Sequence, residues 1–274
     1  MKLQGRYWRD NEDIVNLGDY VTELLLQAFG YEYVSYPAPE PVANPGECLF
    51  AVGTLLDADW FQRVPGKIVV WGSGYWGDPR FALRQLRNCR ITAVRGPLTR
   101  RELNIREVAM GDPALLLPHF YALEREFHAP VLYVPHFHNY SEENIQQRLE
   151  ATHADEFLSV RVRRSKCLTV LKRLVSAKFV LTNSLHAAIL AQAYETPWAL
   201  CLSGNDALNL PLKWLDWFEY LGTPLHAVPN LTEGLKWWEH TGQHLAIPSL
   251  QPLATAFPYP ILSESARCVI AAVK

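Results

Sequence analysis

Short apolar segments alternate with helical patterns along most of the chain, and this alternation limits the possible folds more than any other feature. Four apolar segments in the first half end in turns and are predicted strands: 47–54, 66–74, 91–96 and 107–117. Between them, apolar residues recur at helical spacing near 81–86 and 98–103. Strands that alternate with helices form a parallel sheet covered by helices. The chain is therefore predicted to have an α/β fold.

The alternation restarts after the segment 123–130, which we interpret as a linker. The predicted strands of this second half are 129–137, 156–162, 177–184, 199–202 and 225–230, and its predicted helices are 142–152, 167–176 and 185–194. A chain of 274 residues is long for one core and suits two lobes of about 120 residues each. We predict two Rossmann-like lobes that face a cleft, residues 1–126 and 127–250, followed by a C-terminal helical segment, residues 251–274.

Composition and charge argue against several classes of protein. The formal net charge of −2 gives no reason to expect a nucleic-acid partner. The five cysteines have neither zinc-site nor CxxC spacing, so we expect free thiols in a reducing compartment. The first thirteen residues lack the apolar core of a signal peptide, and no apolar run reaches the length of about 18 residues that a membrane span needs. We expect a cytoplasmic protein.

The first candidate site lies at the start of the predicted helix in 16–30. Ligands bind at the carboxyl ends of strands in open α/β sheets, so residues at such junctions are of interest. Asn16 or Asp19 can cap this helix. Gly18, beside the free helix N-terminus, would let an anion approach backbone N–H groups. An ordinary capped helix would have the same pattern.

A glycine turn ends the predicted strand 66–74. Gly72 and Gly74, on either side of Ser73, permit positive φ or close approach of the backbone to a ligand. The turn is not a GxGxxG fingerprint, and a simple tight turn is the alternative. Tyr75 and Trp76 follow it and are well placed to contact a ligand in the cleft.

Arg95 ends the predicted strand 91–96, and Gly96 and Pro97 turn the chain into a helix. A guanidinium at this junction can bind a carboxylate or phosphate through two parallel hydrogen bonds. Asp112, in a turn before an apolar run, could orient Arg95 or cap a helix.

Two histidines, His136 and His138, follow the strand predicted at 129–137. Their spacing would place both on one face of a strand, as in some metal sites. No third ligand is near in the sequence, so we predict no metal and expect one histidine, His136, to face the cleft.

His186 lies at the junction between the strand 177–184 and a helix of small residues. Asn183 and Ser184 are natural cap residues before Leu185 and His186. A histidine in this first turn could be an acid or base next to bound anions. A histidine that is solvated or bonded within the core is the alternative.

Tryptophan is frequent, with nine residues in the chain. Trp214 and Trp217 belong to a helical pattern at 213–220 and could stack on a sugar ring. Packing of an amphipathic helix explains the same pattern.

Seven motifs of the sequence resemble, in order, those of the polysaccharide pyruvyl transferase family, and most closely those of short bacterial ketal pyruvyl transferases of the xanthan type. They are NLGD (16–19), VWGSG (70–74), VRGPLTR (94–100), GDPALLLP (111–118), VPHF (134–137), NSLHAAILAQAY (183–194) and AFPY (256–259). Each motif is weak alone, but their order is specific and they extend over most of the chain.

The resemblance implies a two-lobed fold similar to the GT-B fold of glycosyltransferases. It implies phosphoenolpyruvate as the donor co-substrate, no cofactor, and a lipid-linked oligosaccharide acceptor on which a pyruvate ketal forms. His186 would be the catalytic acid. Arg95, Arg161 and the helix N-termini at Gly18 and Ser184 would hold the anionic donor. We expect membrane contact only through the substrate, at the inner face of the cell membrane.

The chain departs from the resemblance at one position. Some members of the family have arginine two residues before the histidine, where this chain has Ser184. A second cation would then come from Arg161, Arg163 or Arg9, or helix N–H groups would hold the phosphate. Two other functions share the expected fold: a glycosyltransferase that uses a nucleotide sugar, and a non-catalytic subunit of a polysaccharide assembly complex.

Overall fold

A computed structural model of the chain describes residues 1–37, 42, 44–81, 83–126, 129–137, 144–203, 208 and 210–274. Its strands are β1 (Lys2–Gly5), β2 (Ile14–Asn16), β3 (Glu32–Ser35), β4 (Glu47–Phe50), β5 (Lys67–Ser73), β6 (Cys89–Val94), β7 (Ala109–Met110), β8 (Val131–Val134), β9 (Glu156–Phe157), β10 (Arg161–Arg163), β11 (Phe179–Thr182) and β12 (Trp198–Leu200). Its α-helices are α1 (Leu17–Ala28), α2 (Ala58–Gln62), α3 (Pro97–Glu102), α4 (Ile145–Thr152), α5 (Cys167–Val175), α6 (Leu185–Ala193), α7 (Pro211–Tyr220), α8 (Leu231–His240), α9 (Gln251–Thr255) and α10 (Glu264–Ala272).

Two parallel sheets form the framework. The first has the strand order β3-β1-β4-β5-β6-β7 and the second has the order β12-β11-β8-β9. All pairs in both sheets are parallel. The central strands are continuous apolar runs, as expected for strands that helices cover on both faces. The predicted α/β fold with parallel sheets flanked by helices is confirmed, and it is consistent with a Rossmann-like, GT-B-like architecture.

A short antiparallel ribbon joins the two sheets. Strand β10 pairs with β2 through Arg161 and Asn16, Val162 and Val15, and Arg163 and Ile14. Helix α1 begins directly after this ribbon, and the N–H of Leu17 donates to the carbonyl of Val160. One apolar core runs from the first sheet to the second. The lobe boundaries at residues 126 and 250 stay a prediction.

Several predicted elements differ from the observed ones. In 107–117, only Ala109–Met110 is a strand, because the Asp112 side chain caps a 3₁₀ helix at Pro113–His119. The predicted strand 156–162 is divided between β9 and β10, which belong to different sheets. The segment 225–230 forms a single bridge, from Val228 to Cys201, instead of a strand.

The C-terminal segment packs on the first sheet. The indole N–H of Trp71 in β5 donates to the carbonyl of Leu253 in α9 at 2.9 Å. The ring of Phe257 packs against those of Phe29 and Trp71, with centroid distances of 4.6 and 5.0 Å. The N–H of Leu262 donates to the carbonyl of Phe29. Residues 251–262 therefore complete the cover of this sheet.

Helix α7 packs on α3 through two ion pairs, one of them buried and the other exposed to solvent. Arg95, just before α3, and Asp216 are both fully buried, and the Asp216 carboxylate also accepts hydrogen bonds from the N–H and hydroxyl of Thr99. Arg101 and Glu219, one turn further along, form a pair with side chains 58 % and 41 % exposed. The two pairs provide a buried contact and an exposed contact on the same pair of helices.

We expect Asp216→Ala to lower the free energy of unfolding by about 3–5 kcal/mol, because it leaves the Arg95 cation buried without its partner. Glu219→Ala, the matched control, should cost about 0–1 kcal/mol, because water solvates Arg101 in its absence. Urea unfolding followed by circular dichroism measures both. Similar losses in the two variants would show that burial of the Arg95 pair does not set its contribution.

Candidate functional site

A cavity of about 120 Å³ opens where the carboxyl ends of the two sheets meet. We call it the central cavity. It is lined by residues from both halves of the chain: Trp8, Asn16, Asp19, Thr54, Leu55, Trp60, Trp76, His136, Phe137, Ser184, Leu185, His186, Leu210 and Lys213. The predicted site residues Asn16, Asp19, His136, Ser184, Leu185 and His186 are thus brought together, although the chain separates them by up to 170 positions. This is the position at which parallel sheets bind ligands.

His186 is the second residue of α6, and its ring lies between two buried carboxyl groups. Its Nδ1 is 4.0 Å from Oδ1 of Asp19, and its Nε2 is 3.7 Å from Oδ2 of Asp112. Neither distance is a hydrogen bond, and within the described chain Nε2 of His186 and Oδ2 of Asp112 have no hydrogen-bond partner. Nε2 is fully buried against Asp112, whereas Nδ1, on the side of Asp19, is not fully buried, so Nδ1 is the nitrogen available for proton transfer in the cavity.

Asp19 is buried in the first turn of α1 and faces this imidazole. Burial raises the pKa of the Asp19 carboxyl to about 6, while the charge of His186 and a hydrogen bond from the Asn16 side chain at 2.8 Å oppose the shift. The nearby Asp112 raises this pKa further. Asp19 therefore changes its charge near the pH at which proton transfer is useful.

Gly18 is required by the approach of α6 to α1. A Cβ at this position would lie 2.2 Å from Cβ of His186 and 2.4 Å from its Nδ1. The sequence predicted that Gly18 admits an anion to the helix N-terminus. The structure corrects this role, because the histidine ring occupies the space that the missing side chain leaves.

Asn183, Ser184 and Leu185 form the start of α6. The Asn183 carboxamide accepts a hydrogen bond from the N–H of His136, and its Nδ2 has no partner in the described chain. Ser184 is the N-cap residue, but its hydroxyl accepts no hydrogen bond from the described N–H groups of the first helical turn. The positive end of α6 therefore opens into the central cavity and favours an anion there.

Arg95 lies beneath the cavity wall instead of lining the cavity. It is fully buried, and its Nη1 donates to the hydroxyl of Thr54 at 2.8 Å. Its Nε is 3.5 Å from the Asp216 carboxylate, and Nε and Nη2 have no hydrogen-bond partner within the described chain. The positive charge of Arg95 reaches the cavity through Thr54 and through space.

The glycine turn Gly72-Ser73-Gly74 supports Arg95 and does not line the central cavity. A Cβ at Gly74 would lie 2.2 Å from the Arg95 guanidinium, and one at Gly72 would lie 2.3 Å from Pro113. The Ser73 hydroxyl donates to the carbonyl of Gly53 and accepts from the N–H of Leu55. The predicted ligand contacts of this turn are corrected to packing roles.

The arginines predicted as a second cation lie on the surface. Arg161 forms an ion pair with Asp10, Arg163 with Asp13, and Arg9 with Glu12. Arg161 is thus engaged by Asp10 and does not line the central cavity, and its role in holding the donor stays a prediction.

Lys213, in the first turn of α7, lines the central cavity in their place. Burial and, to a smaller extent, the neighbouring Arg95 lower the pKa of the Lys213 ammonium to about 7, and Asp19 opposes the shift. Of this helix, only the aromatic residues Trp214 and Trp217 were predicted to contact a ligand. The signal for Lys213 was a lysine on the same apolar face as Trp214 and Trp217.

The aromatic residues predicted to contact a sugar differ in how far they are buried. Trp214 and Trp217 are 0 % exposed, so no ring face is available to a sugar, and their predicted role is corrected to core packing. Tyr75 donates its hydroxyl to the carbonyl of Asp78 and does not line the cavity. Trp76 is 42 % exposed at the rim of the cavity, as a sugar platform would be. Trp8 and Trp60 also line it, although no sequence pattern indicated either residue.

Among the residues that the structure describes, no three His, Cys, Asp or Glu side chains are placed to hold a metal ion. His138, considered with His136 as a metal pair, lies outside the described residues. In the described part of the chain, no helix is both long and apolar enough to span a membrane.

The chain is similar to a curated protein and to a solved structure. It is 27 % identical over 224 residues to the succinoglycan biosynthesis protein ExoV of Rhizobium meliloti strain 1021, with 79 % of this chain and 64 % of ExoV covered. The match thus spans less than two thirds of the length of ExoV. A functionally uncharacterized protein from Klebsiella pneumoniae matches with a TM-score of 0.47 and 17 % identity, over 83 % of this chain and 92 % of that one.

The family model for polysaccharide pyruvyl transferase matches residues 16–205. The match begins at Asn16, includes Arg95 and Asp112, and extends past the start of α6 at His186. Because it spans more than half of the 274 residues, the chain belongs to the polysaccharide pyruvyl transferase family.

Proposed function

We propose that this chain is a ketal pyruvyl transferase. It moves pyruvate from phosphoenolpyruvate onto two hydroxyls of one sugar in a lipid-linked exopolysaccharide or capsule repeat unit, and it releases phosphate. The observation that carries the proposal is the central cavity. There, an imidazole that can transfer a proton shares a buried site with a lysine and the positive end of α6.

The reaction starts with a proton, because the donor is an enol phosphate. Proton transfer to the methylene carbon forms a C–H bond and leaves positive charge at the adjacent carbon. One sugar hydroxyl adds there and loses its proton, and the C–O bond to phosphate then breaks with its electron pair leaving on phosphate. The second hydroxyl adds to the same carbon, loses its proton and closes the ketal. Of the two protons released, one replaces the proton consumed and the other leaves with phosphate.

His186 is the proton donor in this scheme, since its ring lines the central cavity and its Nδ1, unlike Nε2, is not fully buried. Once it has given up the proton, the neutral imidazole can accept the proton of an attacking hydroxyl. Asp19 and Asp112 flank the ring at 4.0 and 3.7 Å. These carboxyl groups place negative charge on both sides of the ring, opposite in sign to the positive terminus of α6.

The acceptor sugar enters from the exposed side of the cavity, where Trp76, Trp60 and Trp8 form a rim. An indole offers a flat apolar face to the C–H groups of a sugar ring. The ring of Trp8 packs against that of Phe137 with a centroid distance of 4.2 Å and an interplanar angle of 42°. This contact fixes one side of the opening. The protein meets the membrane through the lipid of its acceptor, and it works peripherally on the cytoplasmic side.

The direct test is incubation with phosphoenolpyruvate and a panel of lipid-linked and aryl glycosides. We expect phosphate release together with a product whose mass gain equals one pyruvate less one water. Transfer of a sugar from a nucleotide sugar, with no reaction of phosphoenolpyruvate, would contradict the proposal and identify a glycosyltransferase. No reaction with any donor would favour a non-catalytic subunit.

We expect His186→Gln to lower kcat by roughly 10²–10⁴-fold, because glutamine keeps the polar shape but cannot donate the proton. Its affinity for phosphoenolpyruvate should stay within a few-fold of wild type. His119→Gln removes an exposed histidine from the 3₁₀ helix and serves as the matched control. Phosphate release and calorimetry give the two quantities. A His186→Gln enzyme with near-normal kcat would leave His136 as the next candidate acid.

We expect Gly18→Ala to reduce kcat strongly, since its Cβ would force the His186 ring out of position. Gly234→Ala is the matched control: its Cβ would meet only side-chain atoms, Leu181 Cδ2 at 3.2 Å and Phe179 Cε1 at 3.3 Å, which need to shift by a few tenths of an ångström, and alanine favours helix. The assay is phosphate release, with thermal unfolding as the measure of folding. A folded Gly18→Ala protein with wild-type kcat would show that His186 need not sit against α1.

A further inference from the structure

Lys213 is a charged side chain whose burial the fold itself does not explain. It is 5 % exposed and lines the central cavity. Its ammonium makes no hydrogen bond to the described residues and is not fully buried, so it faces the cavity. A buried ammonium without partners is costly. Methionine would fill the same space at the start of α7 without that cost.

The acidic groups near Lys213 are already engaged. Asp216, on the same helix, accepts two hydrogen bonds from Thr99 and pairs with Arg95. Asp19, on α1, accepts from the Asn16 side chain. Its attraction for Lys213 is weaker than the effects of burial and of Arg95. The other titratable residues that line the described part of the cavity are His136 and His186, which add no negative charge.

Arg95 also has donor nitrogens without hydrogen-bond partners. Its Nε and Nη2 are buried and have no hydrogen-bond partner within the described chain. Two neighbouring cations, Lys213 and Arg95, thus have donor groups that the described chain does not satisfy. An oxyanion in the central cavity would supply an acceptor to the Lys213 ammonium, and the Arg95 charge behind the wall would add to the positive potential at that position.

We propose that Lys213 is a donor-binding residue whose ammonium directly binds an oxyanion, the phosphate or carboxylate of phosphoenolpyruvate. The identity of this ligand rests on the proposed function, whereas the oxyanion site rests on the buried cations. Arg95 reinforces the site from behind the wall through its charge and its bond to Thr54.

The proposal makes ligand affinity depend on pH in a defined direction. The pKa of Lys213 is lowered to about 7 by burial and by Arg95. The cation is therefore present below this pH and lost above it, and a bound anion raises this pKa. The affinity for phosphoenolpyruvate should fall as pH rises from 7.5 to 9. In this window its phosphate ester, with a second pKa of about 6, no longer titrates.

The experiment is calorimetric titration of phosphoenolpyruvate, and separately of inorganic phosphate, at pH 7.5, 8.2 and 9. Lys213→Met should weaken phosphoenolpyruvate binding at pH 7.5 by roughly tenfold or more, because one charge-assisted hydrogen bond is lost, and its affinity should change little with pH. Lys213→Arg should keep the affinity and lose the slope, since arginine stays charged throughout. Lys178→Met, at an exposed lysine, is the control.

The outcomes separate the two proposals. If wild type binds phosphoenolpyruvate and Lys213→Met binds it within twofold, with the same slope, Lys213 is not a ligand and the proposed function stands. If wild type binds phosphate but not phosphoenolpyruvate, the proposed function fails, and weaker phosphate binding by Lys213→Met still supports the oxyanion site. If wild type binds neither anion, the site is refuted. Thermal unfolding should show that Lys213→Met is at least as stable as wild type. Weaker binding by this variant could then not be attributed to a loss of folding.

Discussion

The contact between the first turns of α1 and α6 is the constraint on which the rest of the structure depends. The absence of a side chain at Gly18 lets the His186 ring lie against α1. This contact joins a helix of the first sheet to a helix of the second, and it sets the distance between their N-termini. It also brings Asp19 of one helix within 4.0 Å of the imidazole of the other. Packing of the two halves and assembly of the site are therefore the same event.

The buried charged residues around the central cavity reduce the stability of the fold in favour of the site. Asp19, Arg95, Asp112, Lys213 and Asp216 are all nearly or fully buried. Burial moves the pKa of Asp19 up and that of Lys213 down, so each shift opposes the charged form. Such groups stabilise a fold poorly, and their concentration in one place is typical of a functional site.

The parallel sheets could be predicted because buried strands and small-residue helices have distinct periodicities, and His186 could be predicted because a strand-to-helix junction positions it. The roles of Gly18 and Gly74 could not, since each depends on a partner far away in the sequence, His186 and Arg95. The distant ion pair of Arg161 with Asp10 is also invisible to local patterns. Lys213 was detectable as a lysine on an apolar helix face, but the tryptophans beside it dominated the pattern.

The return of the C-terminal segment to the first sheet has a consequence for biosynthesis. The hydrogen bond from Trp71 to the carbonyl of Leu253 joins residues 182 positions apart. On the ribosome, the face around Phe29 and Trp71 stays uncovered until Phe257 has emerged, long after the six strands of this sheet are complete. Such late, long-range closure slows folding and leaves apolar surface open to aggregation in the meantime.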